Sequence, residues 1–214
     1  MTLKLNGSTS GSVAIDAPAS TTSGADITFK LPVADGSSGQ VLQTDGSGNW
    51  SWTTVSVTTG PTVIDTWRIT ADVTIPNDYI TSNWSRATDT LTAQLGSAVT
   101  ESSGVFTMPS TGIYRLTLQV ECYDSTTCRW IEGRIDGSTD GFASNTTALA
   151  SGYTSIYDDS NNVHSSLRTS TYYDVTNTSN NKVKVYLGDA GNAAHESHAD
   201  KNVSWIEFVK VAET

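Results

Sequence analysis

The chain has little of what builds helices, membrane spans or disulfide scaffolds. Leu, Glu and Lys are scarce among its 214 residues, which excludes a helical bundle or a coiled coil. Two cysteines are too few for a disulfide-stapled fold and do not by themselves make a metal ligand set. No run approaches the roughly 18 apolar residues of a membrane-spanning helix. Positive charge is also short. Twelve Lys and Arg stand against 22 Asp and Glu, a formal net charge of −10, so nucleic acid or an anionic membrane would be repelled. No nucleic-acid partner and no membrane insertion are expected. Residues 1–7, MTLKLNG, offer neither a cationic nor an apolar leader segment, so the expectation is a chain that is not a secreted precursor.

What fills the gap is Ser and Thr, 61 of 214 residues, with 17 Gly and 12 Asn. This is the vocabulary of strands, turns and loops, and it predicts an all-β protein. Residues 1–60 read as an N-terminal module of short β-forming runs, at 12–15, 26–32 and 40–43. Asp35-Gly36, Asp45-Gly46 and Gly48-Asn49 separate them and supply the positive-φ positions of tight turns. Too few large apolar residues occur here for an isolated core, so the module needs partner chains or a docking surface. Residues 53–61 read as a linker or as one more strand.

From residue 61 to 214 the patterning strengthens. Trp67, Ile69, Ala71, Val73 and Ile75 alternate with polar residues over nine positions, as do Tyr114, Leu116, Leu118, Val120 and Cys122, and then Val183, Val185 and Leu187. Each run predicts a half-buried strand of an antiparallel sheet. The last run, with Trp205, Ile206 and Phe208, is apolar on both faces, as expected for a core strand or a subunit interface. Several such strands joined by polar loops predict a sandwich or jelly roll.

Residues 103–114, SGVFTMPSTGIY, resemble the G-x-F-x-x-P-x-x-G-x-Y stretch of the TNF-like jelly rolls, in particular the complement globular-head family. In physical terms Phe106 fills the core, Pro109 ends a strand, Gly104 and Gly112 turn the chain, and Tyr114 opens the next strand. The resemblance extends over residues 63–212 and implies a trimeric antiparallel sandwich, with Trp205, Ile206 and Phe208 in a central strand. Residues 31–52, LPVADGSSGQVLQTDGSGNWSW, resemble a module of fibre and structural proteins of tailed bacteriophages, marine phages above all. That likeness implies a virion protein assembled in the host cytoplasm, a homotrimer held to other virion proteins by its N-terminal module.

Candidate chemistry is sparse. Cys122 and Cys128 flank residues 124–127, which read as a hairpin turn between two free thiols. His195, Glu196 and His198, with Asp200, lack the spacing of helical zinc sites and read as polar loop residues. Asp158, Asp159, Asn161 and Asn162 offer oxygens of the kind calcium takes, but the EF-hand spacing is not met. No nucleophile elbow, P-loop or dinucleotide fingerprint is present. The expectation is therefore no enzyme, no catalytic residue, no cofactor and no bound metal. Tyr153, Tyr157, Tyr172 and Tyr173 lie among Ser, Asn and Asp in residues 140–175, read as loops. Flat rings beside amides and carboxylates suit a host-surface glycan or receptor, and the same rings would equally cover strand edges or fill a subunit interface. Together with these readings, the two resemblances imply a non-enzymatic virion fibre or spike with a host-contacting head. A capsid decoration protein is the alternative, and a polysaccharide depolymerase ranks third.

Overall fold

The structure, a computed structural model, describes residues 3–6, 12–15, 18–21, 24–55, 60–88, 94–157, 163–191, 193–197 and 201–214. Among these residues every regular element is a β-strand. The chain divides into two units, Met1–Val57 and Thr58–Thr214.

The N-terminal unit holds two isolated hairpins. Strand β1 (Leu3–Asn6) pairs with β2 (Ser12–Ile15), and β3 (Gln40–Thr44) with β4 (Trp50–Thr54). Asp45 organises the second turn, because its carboxylate accepts from the Ser47 and Asn49 amides at 2.7 and 3.2 Å and from the Asn49 side chain at 2.6 Å. Residues 26–32, expected as a strand, make only an isolated bridge, Lys30 to Asn49. No second strand among the described residues lies alongside to continue the ladder. Ile27, Phe29, Leu31 and Val33 therefore remain exposed.

The C-terminal unit begins with β5 (Val63–Ile69), β6 (Val73–Thr74), β7 (Asp78–Tyr79), β8 (Trp84–Arg86), β9 (Thr100–Ser102) and β10 (Val105–Thr107). Then come β11 (Gly112–Asp124), β12 (Cys128–Ser138), β13 (Thr147–Ile156), β14 (Val163–Val175), β15 (Lys182–Asp189), β16 (Ala194–Glu196) and β17 (Trp205–Ala212). One antiparallel sheet runs β13-β12-β15-β10-β9, with β7 also on β15. The other runs β6-β16-β11-β17-β5-β8, with β14 also on β11. The inner faces of the two sheets share one core. Tyr114, Leu116, Leu118, Val120 and Cys122 of β11 are fully buried, as are Val183, Val185 and Leu187 of β15, so these two period-two readings hold. The last strand, β17, lies between β11 and β5.

The signature at 103–114 sits in the head core. Phe106 is fully buried, with ring centroids 5.9 Å from Trp67, 5.0 Å from Trp84 and 5.2 Å from Phe208. Gly104 has φ +78°, and a Cβ there would lie 2.3 Å from the Ile80 carbonyl oxygen, so no other residue fits. Gly112 has φ +138° against the Ala212 carbonyl oxygen. Pro109 follows β10. The Tyr114 hydroxyl donates to the Ser110 carbonyl at 3.1 Å, satisfying the one polar atom of a buried ring.

Three local expectations are corrected. The nine-residue strand over Trp67–Ile75 breaks after Ile69 and resumes only as β6. Period two also fails within β5, where Asp65, Arg68 and Ile69 are all buried. Tertiary contacts hold Asp65 there: Arg86 Nε donates to it at 3.0 Å and the Val99 amide at 2.8 Å, while burial raises its pKa. The segment between Cys122 and Cys128 is not a hairpin turn, because β11 and β12 belong to different sheets. Both cysteines are buried free thiols, and burial pushes Cys122 up to about 12. Finally, residues 140–175, expected as loops, contain the long strands β13 and β14.

Candidate functional site

Alternation along a strand sends every second side chain to the face away from the core. On the six-stranded sheet those outward positions are Glu132, Arg134 and Asp136 of β12, Ser151 and Tyr153 of β13, and Lys184 and Tyr186 of β15. Register places Glu132 against Tyr153, Arg134 between Ser151 and Tyr186, and Asp136 beside Lys184. Strand β7 adds Tyr79 opposite Tyr186.

These groups form one connected network. Glu132 Oε1 accepts from the Tyr153 hydroxyl at 3.0 Å and the Ser151 hydroxyl at 2.9 Å, and lies 3.6 Å from Arg134. Arg134 donates to both oxygens of Asp136, at 2.7 and 3.0 Å, and its guanidinium stacks 4.1 Å over the Tyr186 ring. Such a planar, two-pronged contact fixes the guanidinium in orientation as well as position. Tyr79 donates its hydroxyl to Asp136 at 2.8 Å and meets Tyr186 edge-on at 6.0 Å. Lys184 Nζ lies 4.9 Å from the Tyr79 ring centroid and 4.4 Å from that of Phe142.

Phe142 is brought there by a strained loop. Its φ is +66°, a conformation unusual for a bulky residue. Ser138 Oγ accepts from its amide at 2.8 Å, and Asp140 binds the Ser144 amide and hydroxyl at 2.9 and 2.8 Å. Bonds first to Ser138 and then to Ser144 draw the Asp140 carboxyl down to about 2. The bond to Glu132, with desolvation behind it, raises the Tyr153 phenol above its ordinary value. For Tyr79 burial leads and Asp136 adds to it. The face thus offers aromatic planes, with Tyr153 the exposed one, and two cations held against rings, over the mostly buried carboxylates of Glu132 and Asp136 that hold the network together.

The four expected contact tyrosines are not brought together. Tyr153 (64% exposed) belongs to this face, and Tyr157 (84%) follows the end of β13. Tyr172 (66%) is on β14 of the other sheet, paired in register with Arg115. Tyr173 is withdrawn from the contact set: it is 8% exposed and its hydroxyl donates to the Ser138 carbonyl at 2.6 Å. Adjacent residues of one strand face opposite ways, and the core took Tyr173. Of the three residues assigned to the closing strand, Ile206 and Phe208 are in the protomer's own core. Trp205 faces outward, with Arg168 5.5 Å from its ring.

The other chemical candidates separate likewise. His195 is fully buried in β16 rather than in a loop, with burial lowering its pKa. His198 and Asp200 lie outside the described residues, as do Asp158, Asp159, Asn161 and Asn162. Sequence reasoning singled out Phe142 as a loop aromatic but missed Glu132, Arg134, Asp136, Lys184, Tyr186 and Tyr79, which come from three strands spread over a hundred positions. Their period-two spacing on β12 and β15 was the available signal.

Two antiparallel sheets packed on one core make the C-terminal unit a TNF-like jelly roll, and solved structures share the fold. The structure of Eiger TNF from S. frugiperda matches with a TM-score of 0.53 at 16% identity, covering 72% of this chain and 95% of that one. Murine APRIL matches at pH 5.0 with a TM-score of 0.52 and at pH 8.0 with 0.51, each at 13% identity and covering 70% of this chain and 98% of that one. No family model and no curated protein matches the chain.

Proposed function

We propose that the chain is a non-enzymatic virion structural protein of a tailed bacteriophage. It forms a short homotrimeric fibre or spike whose N-terminal unit holds the particle and whose head contacts a host-surface glycan. The observation that carries this reading is the division of labour between the two units. The head completes its own core and still presents an organised aromatic and charged face, whereas the N-terminal unit leaves a row of large apolar side chains in solvent. The phage-like run at residues 31–52 lies within that exposed unit.

Tyr153, with Glu132 and Ser151 beside it, supplies a ring face and directional oxygens, the pairing a neutral sugar ring calls for. Weak single contacts would be multiplied by three heads per trimer and many trimers per particle. For the trimer, Tyr172 and Trp205 on the outward face of the seven-stranded sheet are the apolar groups placed to meet neighbouring copies. A depolymerase is disfavoured, because Glu132 and Asp136 are engaged by Tyr, Ser and Arg partners rather than poised across an open cleft. Purified protein should sediment at about three times 22.7 kDa. Tyr153→Ala with Tyr157→Ala should reduce adsorption to host cells at unchanged mass. Unchanged adsorption, with the protein labelled on the capsid surface, would favour the decoration reading.

A further inference from the structure

The outward face of the seven-stranded sheet carries a second cluster that lies well apart in sequence. Glu121 of β11 and Glu196 of β16 are directly opposite in register. His164 of β14 is opposite Tyr123, two residues further along β11, and so falls on the same face as Glu121. The potential ligand atoms of Glu121, His164 and Glu196 all lie within 4.8 Å of one another, and His164 Nδ1 is 2.8 Å from Glu196 Oε2. The Tyr123 ring lies 5.7 Å from the imidazole at a 32° tilt and limits its rotation.

We propose that Glu121, His164 and Glu196 form a binding site for a zinc-class divalent cation. Two carboxylates placed directly opposite on neighbouring strands repel one another, and the cluster holds a single imidazole against them. A divalent cation removes that repulsion. One nitrogen and two carboxylate oxygens suit zinc, cobalt or nickel, whereas calcium and magnesium favour all-oxygen shells. A tetrahedral ion with bonds of about 2.0–2.2 Å needs ligand atoms roughly 3.3–3.6 Å apart. The His164–Glu196 pair, now 2.8 Å apart, would open to that range, and the wider separations, all within 4.8 Å, would close to it. Three protein ligands leave a fourth position for water or for an oxygen from an outside ligand. Every ligand comes from one chain, and the face proposed for the glycan lies on the other sheet.

The untagged full-length chain, stripped with chelator and dialysed, is titrated with zinc chloride by calorimetry, with calcium chloride as the comparison. The expected result is one zinc per chain and no saturable heat from calcium. His164→Gln, Glu121→Gln and Glu196→Gln should each weaken zinc binding by more than about tenfold with unchanged circular dichroism. Nitrogen-detected NMR of the wild-type histidines gives a readout free of mutation: zinc should shift the His164 ring resonances and leave the buried His195 unmoved. Absence of one-to-one zinc binding, zinc binding that survives all three substitutions, or a zinc-induced shift at His195 with none at His164 would overturn the assignment.

Discussion

The two units of this chain use one vocabulary, Ser, Thr, Gly and short apolar runs, to opposite ends. Among the described residues, every member of the hydrophobic core belongs to the C-terminal unit, from Val63 to Phe208. The N-terminal unit exposes Ile27, Phe29, Leu31, Val33, Val41, Trp52 and Val55. Its local order comes from turn chemistry, such as the Asp45 hydrogen bonds, and from small aromatic contacts, such as Phe29 against Trp50 at 5.5 Å. Hairpins of this kind are marginal alone, because two strands bury too little to offset the entropy of ordering them. The difference teaches that strand-forming composition is not enough. A second layer must be present to cover the first.

The comparison breaks most visibly by truncation. Removing residues 1–57 should leave a head with an undiminished cooperative melt that no longer incorporates into particles, read by calorimetry and by immunoblot of purified virions. Normal incorporation would end the attachment assignment. Next in size is Phe106→Ala, which empties the centre of the head core and should cost about 3–5 kcal/mol in urea unfolding. Leu31→Ser, on an exposed side chain of the other unit, should change stability by less than about 0.5 kcal/mol while weakening incorporation.

A smaller effect comes from acid. Burial holds His195 below the ordinary histidine pKa, with Asp72 pulling weakly the other way. Neither ring nitrogen has a hydrogen-bond partner among the described residues. The unfolded chain therefore takes up a proton that the folded head resists. This contribution to stability is complete above about pH 6.5 and is lost as pH falls below it. His195→Leu should flatten that part of the stability profile, measured by thermal melts across the range. An unchanged acid slope would mean that other groups carry it. Smallest of all, Tyr153→Ala should shift head stability by under about 0.5 kcal/mol, since an exposed ring buries little. Any loss of adsorption would then be a contact effect.

Much of the fold is legible in the order of residues alone. Strands β11 and β15 have a clean period of two because a sheet with one core face demands it, and the 103–114 signature names its own roles through Gly, Phe, Pro and Tyr. The face at Glu132, Arg134 and Tyr186 is not legible there, because strand order in space, not in sequence, sets β12 between β13 and β15. The same holds for Glu121, His164 and Glu196, whose 75-residue span closes only when β14 and β16 both pair with β11. Residues 140–175 read as loops because the core-facing positions of β13 and β14 include Ala150, Gly152, Thr154, Ser165, Thr169 and Thr171, and small or polar side chains there blur the alternation that large apolar ones make plain.

By itself, then, the sequence determined the all-β class, the weak N-terminal and strong C-terminal division of apolar residues, and the positions of the longest core strands. These follow from composition and from a period that every two-faced sheet must obey. Tertiary structure alone decided which polar residues meet. It turned Tyr153 out and Tyr173 in, placed Trp205 on an outer face, and put a histidine beside two glutamates. Such outcomes depend on register and on which strands become neighbours, and these are set by the summed packing of the whole sandwich rather than by any local run of residues.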